Sequence, residues 1–599
     1  MFRSLLYIYR MNRADFIILT YMLLIPAMLH SQSGRILMDG EFSDWDEVSY
    51  LYMDSVGDVA AGGVDFGGLK MLNDETFLYL YIELNFEINL KSFLNSTLYL
   101  DTDNDSATGF GIENIGAELT WNFAAKSGMF YSGTDSIVIG HTDIRLRTFP
   151  TVSSEIFEIS IGLDSKPDGS NDLFTGEIIS VLVIDADGSD MLPDSGVHLV
   201  YTILPVDLEP IVPIRISDTD SSLLRFLTWN VHGDDLFDPN LFDEYDRILS
   251  ALNPEIIAFQ EIYSHNTAEL KELMESILPS GDGEEWFTLI DGNDIALASR
   301  YSILNSWFPN NPNRAFLVEL KPEYSKNLLV IGAHFPCCLN DSSRQNEIDG
   351  IMAFLRDALQ PGGVIDLEEN TPVILAGDFN LVGERRQLET LLTGDILDNS
   401  TWGSDFSPDW DGTNLSDAIP RHTDLLQTYT WRNDNSPFSP GRLDFIIYTD
   451  SAIKLENSFV LWTEEMSADT LNAYGLVSSD TRFASDHLPV VVDFSLEAGD
   501  PTAISGTVNM LLKTPTLNQN YPNPFNSSTQ IEFFLPLPGF TKLVVHDLRG
   551  REIAILTERY LTEGSHAFSW NADDVPSGLY FYTLTTADYT RTEKMLLLK

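Results

Sequence analysis

Asp378 and Asn380 have the side-chain types and the spacing of a pair that binds one charged group. They end the segment PVILAGDFN (372–380), in which the apolar run VILA predicts a buried strand and Gly377 lets the backbone turn at its end. A carboxylate and a carboxamide two residues apart on an extended segment point the same way. The pair therefore predicts half of a site, which needs a metal, a base or a substrate opposite it.

Similar polar residues end the other predicted strands of this region. The set comprises Asn230, Glu261, His334, Asp378, Asn380, Asp444, Asp486 and His487. Amphipathic helical segments are predicted between the strands, and a layered α/β enzyme builds its site at strand ends. One glutamate or histidine at a strand end is usually a solvated rim residue or a partner of the backbone. Eight such groups in one region predict a common site.

The motifs that contain these residues follow one another in the order WNVHG, QEI, AHF, GDFN, RLDFI and SDHLPV. Over residues 223–497 this ordered set resembles the endonuclease/exonuclease/phosphatase superfamily, whose fold is DNase-I-like. The resemblance implies a four-layer α/β sandwich, in which two sheets pack face to face with helices outside. It also implies hydrolysis of phosphoric ester bonds with Mg²⁺ or Mn²⁺ as the cofactor.

The resemblance implies metal-binding roles for three of the residues. Glu261 matches the principal ligand of Mg²⁺ or Mn²⁺, Asn230 lies beside it, and Asp486 matches a second acidic group near the metal. Magnesium prefers one or two carboxylates plus waters, which Glu261 and Asp486 can provide. The segment IALASRYSIL (295–304) resembles the family's central strand, and Arg300 in it matches the usual arginine.

Catalytic roles are implied for five further residues. His487 matches the histidine close to the scissile phosphate, and Asp444 matches the carboxylate that orients it. Asp378 and Asn380 match the pair that positions the nucleophilic water and the phosphoryl oxygens. His334 matches a histidine of the nuclease and sphingomyelinase branches. The residue types suit this chemistry, because a phosphodiester needs a hard cation and fixed donors around phosphorus before it can be attacked.

The composition limits the substrates and partners. The 599 residues predict three or four domains, and 35 Lys and Arg against 90 Asp and Glu give a net charge of −55. Such a surface repels polyanions and disfavours tight non-specific binding of nucleic acid. Residues 221–497 alone have 16 Lys and Arg against 46 Asp and Glu. They lack the cationic footprint of a duplex-binding protein, although bound divalent ions can screen phosphates.

Short alternating strands from Arg35 to Pro205, with Asp, Gly and Ser in the turns, predict an antiparallel β-sandwich. Its opening motif MDGEFSDW (38–45) resembles carbohydrate-binding modules of the family-9 and DOMON-like type, which makes a glycan a possible partner. The DTDND turn that follows one of these strands carries Asp101, Asp103 and Asp105. Three carboxylates on one loop suit Ca²⁺, and an acidic turn without a metal is the equal alternative.

This turn does not follow the EF-hand pattern. Ser106 stands where the EF-hand has its glycine, and Ile112 stands where it has its bidentate glutamate.

Both ends of the chain predict export. The first 31 residues contain three arginines and then an apolar run from Phe16 to Leu29, as in a secretory signal cleaved after Ser31. A membrane anchor is the competing interpretation, but the run is short, and no other stretch approaches transmembrane length. Residues 516–599 carry NYPNPFN, SGLYFY and a closing KMLLLK, which resemble the type A sorting domain of type IX secretion in Bacteroidetes-like bacteria. The resemblance implies the type IX secretion machinery as a partner and a secreted or cell-surface location.

Cys337 and Cys338 are the two cysteines of the chain, so no disulfide framework holds it together. Free thiols, a vicinal disulfide and an interchain link all remain open for this adjacent pair.

The sequence predicts a multidomain protein with an α/β catalytic domain between two all-β domains. Its predicted parts are a signal peptide (1–31), a β-sandwich (32–206), a linker (207–222), the α/β domain (223–497), a second linker (498–515) and the sorting domain (516–599). The first hypothesis is a secreted phosphodiesterase or nuclease that acts on extracellular nucleic acid. A phospholipid or small-phosphoester hydrolase is the alternative. A glycan-binding surface protein with an inactive hydrolase domain is the third.

Overall fold

A computed structural model describes residues 33–599 except for positions 58, 60–62, 91–94, 186–189, 218–221, 282, 497–515, 536–538, 562–563, 574 and 587–588. The predicted signal peptide and the predicted second linker lie outside the described residues. Within the described ranges, no helix combines the length and the apolar character needed to cross a membrane.

The N-terminal domain consists of two packed antiparallel sheets. One has the strand order β1-β2-β3-β11-β10; the other has the order β13-β12-β4-β7-β8-β9, with β14 paired to β12. The strands are β1 Tyr50–Met53, β2 Phe66–Asn73, β3 Phe77–Ile88, β4 Ser96–Asp101, β5 Phe110–Ile112, β6 Ile115–Ala117, β7 Leu119–Asn122, β8 Ser127–Ser132, β9 Asp135–Ile139, β10 Arg147–Phe149, β11 Ser154–Gly162, β12 Ile178–Asp185, β13 Met191–Leu192 and β14 Val200–Thr202. A single-turn 3₁₀ helix, Ser43–Trp45, precedes them. Alternate residues of facing strands, such as Leu80 and Leu100, form the core between the sheets. The predicted β-sandwich is confirmed.

Glu158 binds three residues of the opening motif MDGEFSDW through hydrogen bonds. Its Oε1 accepts hydrogen bonds from the backbone N–H groups of Asp39 and Gly40, each at 2.8 Å, and its Oε2 accepts one from Trp45 Nε1 at 3.2 Å. Trp45 and Glu158 are both fully buried. The motif therefore anchors the first segment of the chain to strand β11.

The central domain contains two six-stranded mixed sheets, with the orders β17-β18-β16-β15-β26-β25 and β19-β20-β21-β22-β24-β23. Its strands are β15 Leu224–Asn230, β16 Ile256–Gln260, β17 Phe287–Ile290, β18 Ala296–Ser299, β19 Ile303–Trp307, β20 Arg314–Val318, β21 Leu328–His334, β22 Val373–Asp378, β23 Ser416–Asp417, β24 Asp444–Tyr448, β25 Lys454–Val460 and β26 Val490–Ser495. Its helices are Phe242–Leu252, Thr267–Ile277, Asp341–Ala358, Arg386–Thr393, Asn399–Trp402, Ala468–Tyr474 and Asp480–Ala484, with 3₁₀ turns at Asp235–Phe237 and Thr463–Glu465.

The two sheets of the central domain pack face to face. Phe226 and Ala258 of the first sheet share one buried cluster with Ile374 and Ala376 of the second. The opposite face of each sheet packs against helices, in two further apolar clusters. Strands covered on both faces carry apolar side chains on both, which explains the continuous run VILA. This is the four-layer α/β sandwich that the sequence predicts.

Gly377 lies inside strand β22, not at a turn as the sequence analysis expects. It pairs with Ala333 of the parallel strand β21. A Cβ atom at Gly377 would lie 1.9 Å from the carbonyl oxygen of Ala333, and the glycine φ is +144°. Glycine is therefore required because the two strands approach closely at the end that leads to Asp378.

The N-terminal domain packs directly on the central domain. Trp45 and Phe149 belong to the same buried cluster as Phe226. The hydroxyl of Thr151 donates a hydrogen bond to the carbonyl of Leu381 at 2.8 Å. The two domains thus share apolar surface next to the segment that follows Asn380.

The described part of the predicted first linker also lies on the central domain. The backbone N–H of Ile214 donates to the carbonyl of Thr423 at 2.8 Å, and the buried Arg225 guanidinium donates to the carbonyl of Ile216. These contacts fix residues 214–216 against the domain rather than leaving them as a free tether.

The C-terminal domain has two small sheets, with the orders β27-β28-β31 and β30-β29-β32-β33. Its strands are β27 Thr516–Leu517, β28 Ser528–Leu535, β29 Gly539–Asp547, β30 Glu552–Leu561, β31 Gly564–Asn571, β32 Gly578–Thr585 and β33 Thr590–Leu597. Side chains of both sheets, including Ile531, Tyr582 and Met595, form its core. The predicted all-β domain at this end is confirmed.

We expect Gly377→Ala to destabilise the central domain, because the new methyl group meets the Ala333 carbonyl. The cost is about 2–4 kcal/mol, seen as a fall of roughly 5–15 °C in the midpoint of heat inactivation. Gly111→Ala is the matched control, since nothing lies within 4 Å of a Cβ at Gly111. Equal midpoints for the two variants would contradict the close approach of β21 and β22.

Candidate active site

The topology brings the predicted residues to one edge of the two sheets. Strand β15 runs parallel to β16, and β21 runs parallel to β22. Asn230, His334 and Asp378 are the last residues of β15, β21 and β22, and Glu261 directly follows β16. The antiparallel neighbour β24 begins at the same edge with Asp444, which pairs with Asp378.

Asp378 is the centre of the site and is 2% exposed. Its Oδ2 accepts hydrogen bonds from Asn380 Nδ2 at 2.9 Å and from Asn230 Nδ2 at 3.1 Å. Its Oδ1 accepts the backbone N–H of Asn380 at 3.0 Å. Two histidine rings also face Oδ2, because the Nε2 atoms of His334 and His487 lie 3.5 and 3.6 Å from it. Asp378 is thus a buried carboxylate surrounded by five nitrogen atoms from four residues.

Asp444 holds the His487 ring. His487 Nδ1 lies 2.8 Å from Asp444 Oδ2, so the other ring nitrogen, Nε2, faces Asp378. The backbone of Asp444 is fixed as well, because the hydroxyl of Thr430 accepts its N–H at 2.8 Å. A histidine in such a pair has a fixed tautomer and orientation. The structure thus brings together the Asp444–His487 pair that the sequence analysis expects.

A second histidine–carboxylate pair lies on the other side of Asp378. His334 Nδ1 is 3.0 Å from Asp294 Oδ2, and its Nε2 faces Asp378. Asp294 Oδ1 also accepts the backbone N–H of Glu261 at 2.9 Å. Sequence reasoning missed Asp294. Its signal was an acidic residue directly before the apolar segment IALAS, in the turn DGND.

Glu261 connects to this centre through Asn230. The Asn230 side-chain amide donates to Glu261 Oε1 at 2.9 Å and to Asp378 at 3.1 Å. Glu261 has a φ of +66°, a conformation that turns the chain sharply where strand β16 ends. Its side chain is partly exposed, in contrast to buried Asp378 and Asp444.

Asp486 borders the site next to His487. Trp431 Nε1 donates to Asp486 Oδ2 at 3.1 Å. Asp486 and Glu261 both raise the pKa of His232, after a larger effect of its hydrogen bond with Asp235. Both carboxylates are therefore close enough to His232 to stabilise its charged form. His232 was also missed as a site residue, although the motif WNVHG contains it.

Arg300 is not brought to the site. Its backbone N–H donates to the carbonyl of Glu255, at the start of strand β16, whereas Glu261 follows the other end of that strand. The guanidinium lies over the Trp286 ring at 4.1 Å and donates to the Leu278 carbonyl at 3.0 Å. These contacts give it a packing role at the opposite edge of the sheet.

Comparison with known proteins decides the family of this region. Residues 227–487 match the sequence model of the Endonuclease/Exonuclease/phosphatase family, and residues 519–598 match the model of the secretion system C-terminal sorting domain. Residues 227–487 are an endonuclease/exonuclease/phosphatase domain. The domain is a phosphoric ester hydrolase of a family that depends on divalent metals. The sorting domain marks the protein for type IX secretion to the cell surface or the extracellular space.

Solved structures that are similar to this domain include the following three. The first is ANGEL2, a 2',3'-cyclic phosphatase (15% identity, 46% of this chain and 96% of that chain, TM-score 0.29). Another is sphingomyelinase C from Streptomyces griseocarneus (16% identity, 45% of this chain and 99% of that chain, TM-score 0.27). The third is an AP endonuclease from Leishmania major (16% identity, 48% of this chain and 92% of that chain, TM-score 0.28). No curated protein gave a match to this chain.

The electrostatics of the site favour charged histidines. Burial lowers the pKa of His334, but the hydrogen bond with Asp294 and the charges of Asp378 and Glu261 raise it to about 9. Burial likewise lowers the pKa of His487, and the charges of Asp444 and Asp378 more than offset this and raise it. Burial raises the pKa of the Asp378 carboxyl, and the two histidines oppose that rise. Two imidazolium groups next to a buried carboxylate can bind an anionic oxygen.

Two sets of side chains in the endonuclease/exonuclease/phosphatase domain could supply ligands to a divalent metal ion. Asp378, Asp444 and His487 offer ligand atoms that lie within 4.8 Å of one another. However, both His487 nitrogens face carboxylates, and Asp378 already accepts three hydrogen bonds, so these groups are engaged with one another. Glu261, in contrast, is partly exposed, and its Oε1 accepts a side-chain hydrogen bond from Asn230. The charge of Asp486 acts on His232, as that of Glu261 does. Oxygen donors of this kind suit Mg²⁺ or Mn²⁺.

We expect Asp294→Asn to lower kcat/KM by about 10- to 100-fold, because it removes the charge that holds His334. The loss of this charge lowers the pKa of His334, so its protonated form is lost at lower pH. The alkaline limb of the pH–rate profile should therefore move to lower pH.

Glu269→Gln is the matched control, since His265 and Glu269 form a similar pair on the surface, with Nδ1 and Oε2 3.1 Å apart. This variant should keep the wild-type profile. An unchanged alkaline limb in Asp294→Asn would show that Asp294 does not position His334.

Proposed function

We propose that the protein is a secreted, metal-dependent phosphodiesterase that cleaves extracellular nucleic acid. The observation that carries this proposal is the row Asp294–His334–Asp378–His487–Asp444, in which one buried carboxylate lies between two histidines that further carboxylates hold. Two fixed cationic donors about one carboxylate suit an in-line attack on phosphorus, where a water must be aligned and negative oxygens stabilised.

In this proposal Glu261, Asn230 and Asp486 hold a divalent cation. When bound, the cation supplies Lewis-acid polarisation of a phosphoryl oxygen. Asn230 also joins the two halves of the site, because its amide donates to both Glu261 and Asp378.

Asp378 and Asn380 align the attacking water in this proposal, and the Asp378 carboxylate accepts its proton through Oδ1, which has the fewer donors. His487, kept in one tautomer by Asp444, donates from Nε2 to a phosphoryl oxygen. His334, held in the same way by Asp294, donates from the other side. These two donors stabilise the charge that develops as the leaving oxygen departs.

The charge of the domain favours single strands or short oligonucleotides over duplex DNA. A protein that binds a duplex neutralises several phosphates with Lys and Arg, and this domain is strongly acidic. Tyr263, two residues after Glu261, is 45% exposed. Burial and the charges of Asp294, Glu261 and Asp378 raise the pKa of its phenol, so the ring borders the acidic centre. An exposed ring in this position offers a stacking surface for an unpaired base.

A phospholipid headgroup is the second candidate, and exposed apolar side chains favour it. Leu339 is 80% exposed and follows His334 by five residues. Phe483 is 60% exposed and precedes His487 by four residues. Apolar side chains at a site entrance are the groups that a hydrolase would insert into a lipid surface.

We propose that the flanking domains deliver this activity outside the cell. The proposed limits are 32–206 for the β-sandwich, 223–497 for the hydrolase and 516–599 for the sorting domain, with 207–222 and 498–515 between them. The proposed signal peptide is 1–31. A glycan-binding role for the β-sandwich would hold the hydrolase near its substrate, and glycan binding without hydrolysis is the third hypothesis.

The substrate is tested by assaying the full chain with Mg²⁺ against single-stranded DNA, duplex DNA, RNA, sphingomyelin vesicles and bis-p-nitrophenyl phosphate. We expect turnover of bis-p-nitrophenyl phosphate and faster cleavage of single strands than of duplex. Turnover of sphingomyelin without cleavage of nucleic acid would replace the first candidate by the second. Glycan binding without any hydrolysis would reject both.

The site is tested in the same assay. Glu261→Gln removes a metal ligand and His487→Ala removes a phosphate donor, so each should lower kcat/KM for bis-p-nitrophenyl phosphate at least about 10²–10³-fold. EDTA should abolish turnover and added Mg²⁺ should restore it. His265→Ala, which changes a surface histidine of the same domain, is the control and should keep full activity. Wild-type rates in both site variants, with unchanged circular dichroism, would disprove the assignment.

A further inference from the structure

A second cluster of carboxylates lies in the N-terminal domain, far in sequence from the hydrolase site. Asp101, Asp103 and Glu118 each offer one carboxylate oxygen, and these atoms lie within 4.8 Å of one another. Asp101 is the last residue of strand β4, and Glu118 lies between strands β6 and β7. The cluster therefore joins two neighbouring strands of one sheet to the turn between them.

Two of the three carboxylates are buried with one oxygen unused. Asp101 is 1% exposed and Glu118 is 8% exposed. Asp101 Oδ2 accepts the backbone N–H of Gly116 at 3.1 Å, and Glu118 Oε2 accepts that of Thr102 at 2.8 Å. Among the described residues, no donor has hydrogen-bond geometry to Asp101 Oδ1 or Glu118 Oε1. Each carboxylate is thus anchored by one oxygen and leaves the other free.

An unpartnered, buried carboxylate oxygen is costly, and two that share a cluster repel each other as well. A single cation among the three carboxylates would remove both costs. Asp103 is oriented for the same role, because its Oδ1 accepts the backbone N–H of Asp105 at 2.9 Å and the Thr108 hydroxyl lies 3.1 Å from both of its oxygens.

The backbone is shaped to close around Glu118. A Cβ at Gly109, whose φ is +62°, would lie 2.8 Å from Glu118 Oε1 and 2.5 Å from the carbonyl oxygen of Ala117. A Cβ at Gly116 would lie 2.1 Å from the carbonyl oxygen of Thr108. Glycine at position 109 therefore lets the turn approach Glu118 Oε1, and glycine at position 116 lets the β5–β6 hairpin pack against the backbone of the turn.

We propose that Asp101, Asp103 and Glu118 form a structural Ca²⁺ site that pins the 102–109 turn to the sheet. Three carboxylates suit Ca²⁺, which takes six to eight oxygen ligands in flexible geometry, better than Mg²⁺, which keeps several waters. The proposed site differs from the expected set Asp101, Asp103 and Asp105 in having Glu118 in place of Asp105. Asp105 lies outside the cluster, and its carboxylate instead accepts the backbone N–H of Ala107 at 3.0 Å.

Glu118 was missed in the sequence because it stands thirteen residues after Asp105, beyond the hairpin of β5 and β6.

The proposal is tested by calorimetric titration of the chelator-treated full chain with Ca²⁺ alone, and with Mg²⁺ as a comparison. The parent protein in this experiment is the Glu261→Gln chain, and every variant also carries this change. The hydrolase site therefore contributes equally to the heat of binding in all of them. Glu118→Gln should weaken Ca²⁺ binding at least about tenfold, because ligand charge sets the affinity of such sites. Asp105→Asn is the matched control and should bind Ca²⁺ as the parent does.

A second measurement covers the case in which Glu118→Gln does not fold. Limited proteolysis of the unchanged chain should show cleavage within 102–118 that Ca²⁺ suppresses and Mg²⁺ at equal concentration does not. The proposal is overturned if the parent binds no Ca²⁺ outside the hydrolase site or if Glu118→Gln binds it normally. It is also overturned if Asp105→Asn loses as much affinity as Glu118→Gln, or if Ca²⁺ leaves the cleavage unchanged.

Discussion

The structure of the hydrolase domain depends on one buried charge, the carboxylate of Asp378. A buried carboxylate is stable only when donors and opposite charges surround it. Here the amides of Asn230 and Asn380 and the rings of His334 and His487 supply them. Asn230 and His334 end strands β15 and β21, Asn380 follows β22, and His487 precedes β26. The need to satisfy Asp378 therefore fixes how the edges of the two sheets meet.

Further carboxylates position the groups that surround Asp378. Asp294 and Asp444 each hold one histidine, and Asp294 also fixes the backbone at Glu261. Because Asn230 bonds both Glu261 and Asp378, the metal-binding side and the water-binding side of the proposed site cannot move independently. Negative charge remains at the partly exposed end, where Glu261 and Asp486 both raise the pKa of His232 after its hydrogen bond with Asp235. This charge is the reason why we propose that the divalent cation binds there.

The sequence was a good guide where a residue's type and its strand position agreed. Asp378 ends an apolar strand, Asp444 begins one and His487 shortly precedes one, so their convergence could be predicted from the layered fold. Asp294 could not, because it stands in the turn DGND, where acidic residues are common for local reasons. Glu118 was hidden for a related reason, since pairing across a hairpin, rather than spacing along the chain, brings it to Asp101. Arg300 matched a motif, but the antiparallel direction of β18 carries it to the opposite edge of the sheet.

We propose that the metal binds at Glu261 while Asp378, Asp444 and His487 remain bonded to one another. Anomalous scattering from a crystal of the full chain soaked with Mn²⁺ tests this claim most directly. We expect a manganese peak within ligand distance of Glu261 and near Asp486, with the Asp444–His487 hydrogen bond intact. A peak bound by Asp378, Asp444 and His487, with none at Glu261, would contradict it.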